Sequence, residues 1–129
     1  MTLVDTSAWV DFFRGRGALA ERVDELIQND QAALCGPVIT EIRRGLRSRT
    51  ERGRVLALLE GCHILEQPAD LWAEAGELGW WLGRRGARVK SLDLLIAAYA
   101  LAHTVPLLTG DGDFALMRRA GLALLLDEP

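Results

Sequence analysis

Five apolar runs, each too brief for a helix, recur along the chain, and segments with helical spacing separate them. The runs are "TLVD" (2–5), the strand 32–35 opening "AALCGP", "HILEQ" (63–67), "VPLLT" (105–109) and "LALLLD" (122–127). Short apolar runs closed by turn residues read as buried strands. Between them, "SAWVDFFRG" places Trp9, Val10 and Phe13 on one helical face and stops at Gly15. "GALAERVDELIQND" repeats Leu19, Val23, Leu26 and Ile27 at helical intervals. Pro37 suits the first turn of a helix, and Val38, Ile42 and Leu46 follow at four-residue spacing. Further helices are predicted over about 51–60, over "PADLWAEAGELGWWLGRRG", over "SLDLLIAAYALAHT" with Ser91 as N-cap, and over "DFALMRRAG". Gly76, Gly79 and Gly83 weaken the second of these but let another helix pack closely. Trp80-Trp81 read as either core or interface. Alternating strands and helices predict an α/β, three-layer α/β/α sandwich with a central, mainly parallel sheet. No linker or repeat interrupts the order, so residues 1–129 are expected to form one domain.

Composition excludes several classes. Half of the 129 residues are hydrophobic, which excludes a disordered chain. No apolar run approaches the roughly 20 residues of a membrane span. The N-terminus "MTLVDTSAW" has no basic flank ahead of its apolar residues, so a signal peptide is not expected and a cytoplasmic location is. Cys35 and Cys62 form no CxxC pair and are read as buried reduced thiols. His63 and His103 stand alone and are read as structural or surface residues. The net charge of −3 excludes a molecule that binds nucleic acid by bulk charge. Of 15 basic residues 14 are Arg, and six of them lie between Arg43 and Arg54.

Four acids stand where a parallel sheet gathers chemistry. Ligands in such sheets bind outside the carboxyl ends of the strands. Asp5 ends the first strand and Asp111 follows "VPLLT". Glu41 and Asp93 fall in the first turns of helices that begin at that same edge. The helix macrodipole alone accounts for an acid at Asp93's position. Asp5 resists any such account, since it is a charge in an apolar opening with no basic neighbour in sequence. Four carboxylates at one edge repel one another, and a divalent cation resolves that conflict. Carboxylate and water ligands suit Mg²⁺, with Mn²⁺ as the alternative. Thr6, Ser7 and Thr109 are placed to orient the ligands.

"VDTSAW" (4–9), "TEI" (40–42), "SLDLLIAA" (91–98) and "LLTGDGDF" (107–114) resemble the acidic motifs of PIN-domain ribonucleases, and over the whole chain the small VapC-like toxins of bacterial toxin–antitoxin pairs. The resemblance implies a PIN-like nuclease domain and Mg²⁺- or Mn²⁺-dependent cleavage of RNA, with inhibition of translation or growth. It also implies a homodimer and a cognate antitoxin. Carried over by position, Asp5, Glu41, Asp93 and Asp111 are the metal-binding and catalytic acids; Asp113 matches a less uniform position. Asp5 and Asp93 rank first as ligands, Asp111 completes the cage, and Glu41 holds a water or a second ion. Asp113 is expected to cap the helix that follows, with Asp111 facing the metal. The target, a tRNA or an rRNA loop in proteins of this kind, is not written in the sequence.

The arginines of 43–54 remain open to three readings: a solvated face, a grip on RNA phosphates, or a partner for an acidic antitoxin tail. Trp9, Phe12 and Phe13 read as core or as an antitoxin-docking surface. Two rival functions stand beside the ribonuclease. One is a catalytically silent binding module on the same fold. The other is an aspartate-nucleophile phosphatase, which needs a second acid where Ser7 stands. "DGD" lacks the rest of a calcium loop, and no Lys follows the glycines as a phosphate loop requires.

Overall fold

The computed structural model describes all 129 residues. In chain order the elements are β1 (Thr2–Val4), α1 (Thr6–Arg14), α2 (Ala18–Gln28), β2 (Ala32–Leu34), α3 (Gly36–Arg44), α4 (Arg49–Glu60), β3 (His63–Ile64), α5 (Leu71–Arg84), α6 (Ser91–His103), β4 (Leu107–Leu108) and α7 (Gly112–Arg119). The four strands form one sheet in the order β3-β2-β1-β4, and every pairing is parallel. Leu3 is the pivot of the register, opposite Ala33 on one side and Leu107 on the other.

Successive residues of a strand point to opposite faces. Leu3 and Val4 are both fully buried, as are Leu107 and Leu108, so helices cover both faces of the sheet. This is the three-layer arrangement that unalternated apolar strands predict. Trp9 is fully buried as well, and Phe12 and Phe13 pack half-buried around it. Gly79 is the one glycine of α5 that meets α6 closely: a Cβ there would lie 2.7 Å from Leu94 Cδ1. Gly76 and Gly83 face open space.

Three expectations change. "LALLLD" makes a single parallel bridge, Leu107 to Leu126, rather than a fifth strand. Leu107 N donates to Leu125 O, and Asp127 N donates to Leu107 O. The next N–H along that side of β4, on Val105, is already spent on Ala100 O at the end of α6. The N-cap of α6 is Lys90, with extended backbone, and Ser91 is the first helical residue, which puts Asp93 third in the helix. Cys35 is buried, whereas Cys62 is only half-buried; both are free thiols.

Candidate metal centre

Because β1 and β4 are adjacent and parallel, the residues that leave them emerge side by side. Asp5 N donates to Leu108 O at 2.9 Å, which ties the two exits together. Asp5 then sits at the N-terminus of α1, 4% exposed, without capping that helix through its side chain. Its Oδ2 accepts instead from Ser7 Oγ at 2.9 Å and from Thr109 Oγ1 at 2.7 Å. Thr109 Oγ1 also accepts from Asp111 N at 3.0 Å, so one hydroxyl links two of the acids. Ser7 Oγ accepts from Gly110 N at 2.9 Å. A Cβ on Gly110 would lie 2.9 Å from Leu19 Cδ1, so this glycine serves close approach rather than a bend. On α3, Glu41 Oε1 accepts from Thr6 Oγ1 at 2.7 Å. Thr6, Ser7 and Thr109 thus each donate to a candidate acid directly.

The other acids have no such hydroxyls. Asp93, Asp111 and Asp113 each place a carboxylate oxygen within 4.8 Å of the others. Asp93 is 7% exposed, and its Oδ2 is buried with no hydrogen-bond partner. Burial pushes the Asp93 carboxyl up to about 7, helped by a hydrogen bond with Asp113 and by the charges of Asp111, Asp5 and Asp113. A helix N-terminus accounts for an acid in the first turn but leaves this buried oxygen unexplained. The donor set of three carboxylates, one of them buried with an unpartnered oxygen, fits a hard divalent cation.

The division of labour between Asp111 and Asp113 differs from expectation. Asp111 is the N-cap of α7: its Oδ1 accepts from Asp113 N at 2.9 Å. Asp113 sits inside the first turn and turns its carboxyl to Asp93. Asp111 therefore both caps and faces the cluster, and Asp113 belongs to the cluster rather than to the cap. Asp5 and Glu41 line the same cleft, of about 370 Å³, but stand apart from the tight trio.

Arg14, Asp11 and Lys90 also line this cleft, and sequence reasoning passed over all three. Arg14 closes α1 and Lys90 caps α6, so both cations stand at the rim of an otherwise acidic hollow. Their signal in the sequence was adjacency: each lies on an element already assigned to an acid. Cys35, close enough to feel Asp5 and Glu41, is no nucleophile; burial pushes its thiol up to about 12.

The family model of the PIN domain matches residues 2–120, the span that holds the sheet and all five candidate acids. The chain belongs to the PIN-domain family. Among its relatives is ribonuclease VapC11 of Mycobacterium tuberculosis, 34% identical over 125 residues and covering 92% of each chain. The fold superposes on the toxin–antitoxin complex from Klebsiella pneumoniae with a TM-score of 0.76, at 23% identity and over 98% of this chain and 97% of that one. It superposes on VapBC2 from Rickettsia felis, solved with a DNA fragment from its promoter, with a TM-score of 0.77, at 21% identity and over 98% and 96% of the two chains.

Proposed function

We propose that this chain is the toxin of a toxin–antitoxin pair and acts as a divalent-metal-dependent endoribonuclease. It hydrolyses RNA phosphodiesters and so arrests translation or growth. One observation carries the reading: the orphaned, buried Asp93 oxygen inside a carboxylate trio. Its support is a chain 34% identical to proteins named as VapC ribonucleases.

Asp93, Asp111 and Asp113 would hold the cation, Mg²⁺ or Mn²⁺, where Asp93 and Asp111 line the cleft. When bound, it supplies Lewis acidity, lowering the pKa of a water for in-line attack and offsetting charge on the leaving oxygen. Asp5 is pinned by Ser7 and Thr109, so its free oxygen keeps one direction into the cleft. Glu41, pinned by Thr6, orients water on the opposite side. Lys90 and Arg14 at the rim meet the phosphates that flank the scissile bond. No covalent intermediate is involved: Ser7 is committed to Asp5 and Gly110, and Cys35 stays protonated.

The protein works in the cytoplasm as one domain over 1–129, as a homodimer, on a tRNA or an rRNA. No helix is long and apolar enough to cross a membrane. The cognate antitoxin docks an apolar segment along Val10, Phe13 and Leu46, in a groove whose charged lining is Arg14, Arg47, Glu41 and Glu51.

The test is incubation of purified, antitoxin-free protein with structured RNAs and Mg²⁺ or Mn²⁺. Metal-dependent cleavage, abolished by Asp5→Asn in a protein that still melts cooperatively, supports the reading. Cleavage that survives both Asp5→Asn and Asp93→Asn overturns the site. Failure to cut any RNA under either metal favours a silent binding module.

A further inference from the structure

A second cleft, of about 500 Å³, lies beside the acidic one. Trp80, Arg84, Arg88, Val89 and Leu94 line it. The two clefts meet along residues 88–94: Arg88, Val89 and Leu94 face one, and Lys90, Leu92 and Asp93 face the other. No carboxylate lines the second cleft. Residues 84–90, "RRGARVK", carry four cations and no acid in a chain of net charge −3. None of the four takes part in an ion pair.

Local geometry aims these cations outward. The segment 87–90 joins α5 to α6 outside any helix or strand, and Lys90 has extended backbone. Ala87 is buried and Val89 half-buried, while Arg88 and Lys90 are exposed. Arg88 and Lys90 are therefore both turned to solvent, one at each cleft. Trp80 stands beside them, 65% exposed, and the Arg84 guanidinium carbon lies 5.6 Å from its ring centroid. A cleft on the opposite side of Trp80 contains Glu74 and Glu77, so an anion is directed to the arginine side.

An exposed aromatic face with unpaired cations around it suits a single-stranded nucleic acid. Any base stacks on the ring, and the cations take the backbone phosphates. We propose that this cleft is the substrate track of the enzyme for single-stranded or looped RNA. Trp80 stacks a base, Arg84 and Arg88 bind the phosphates beside it, and Lys90 passes the strand to the acidic cleft. The proposal rests on the ribonuclease reading above and adds where the RNA runs next to the metal centre.

The test uses full-length protein, a fluorescein-labelled 12-nucleotide RNA of mixed sequence for affinity, and a cleavable structured RNA for kinetics. Trp80→Ala is expected to raise Kd and KM about tenfold, with kcat little changed, whereas Trp80→Phe keeps most of the affinity. Arg84→Ala with Arg88→Ala is expected to lower the slope of log Kd against log salt by about 1.4, two phosphates at about 0.7 each. Quenching of intrinsic fluorescence on RNA binding should shrink in Trp80→Phe. Unchanged Kd, KM and salt slope in variants that melt like the wild type, while the wild type cleaves RNA, overturn the track alone. A changed oligomeric state without changed RNA affinity makes the cleft an interface between copies and also overturns it. Wild-type protein that cuts no RNA overturns both the track and the ribonuclease reading.

Discussion

The two walls of the acidic cleft are built on opposite plans. On the β1–α3 wall, Asp5 and Glu41 are held by hydroxyls from Thr6, Ser7 and Thr109, at 2.7 to 2.9 Å. On the α6–α7 wall, Asp93, Asp111 and Asp113 crowd one another, and a buried oxygen has no partner. The first wall is complete as it stands and fixes direction. The second is electrostatically unfinished, and its conflict is relieved only by a proton or a cation. Preorganisation and ion capture thus fall to different residues, joined through Thr109 and the charge of Asp5.

Neutralising one acid on each wall shows the separation most sharply. Asp5→Asn and Asp93→Asn are both expected to bring metal-dependent cleavage below detection in an RNA-cutting assay. Their metal-free stabilities should diverge. Asp93→Asn removes a repelled, buried charge and should leave the melting temperature at pH 8 equal to or above that of the wild type. Asp5→Ala strands the Ser7 and Thr109 hydroxyls and should cost about 1–3 kcal/mol. Equal losses in both variants would break the contrast between the walls.

Acidity gives the next largest effect. The unfolded chain releases the Asp93 proton near an ordinary aspartate value, about 4, while the folded protein holds it to about 7. The stabilisation from this group is therefore full below about pH 4 and is lost as pH rises through about 7. Metal-free protein should melt at progressively lower temperature across that window, and saturating Mg²⁺ should restore stability at pH 8. The same measurement on Asp93→Asn should be flatter. A wild-type profile that rises between pH 4 and 7 would contradict the crowded-wall description.

Smaller effects test the hydroxyl wall. Thr109→Val removes a donor to Asp5 and the acceptor for Asp111 N, so turnover should fall about 10- to 100-fold. Thr6→Val touches only Glu41 and should sit near the lower end of that range, about tenfold. Calorimetric titration should find metal affinity less affected by Thr6→Val than by Asp113→Asn.

Much of this architecture is legible from patterning. Unbroken apolar runs such as "TLV" and "LL" imply a sheet covered on both faces, and parallel order then sends Asp5 and Asp111 to one edge. What sequence cannot resolve depends on one or two backbone dihedrals. Asp111 and Asp113 stand two residues apart on a turn, and which carboxyl caps α7 follows from where the helix begins. Lys90 and Ser91 exchange roles at α6 for the same reason. The missing fifth strand turns on the Val105 N–H, which the end of α6 takes first. The Arg run of 43–54 draws the eye by number, yet all six side chains are exposed and free of ion pairs. The cations that line the acidic cleft, Arg14 and Lys90, lie outside that run.

The close meeting of Gly79 with Leu94 has a consequence for how such a chain can drift over generations. A side chain at position 79 must push Leu94 aside, and Leu94 is the residue after Asp93 in the opening turn of α6. A substitution in the middle of α5, remote in sequence from the candidate metal-binding acids, thereby presses on the side chain next to Asp93. At Gly76 and Gly83, which face open space, an added Cβ meets nothing. At Gly79, room for change is set by how far the end of the Leu94 side chain can swing aside.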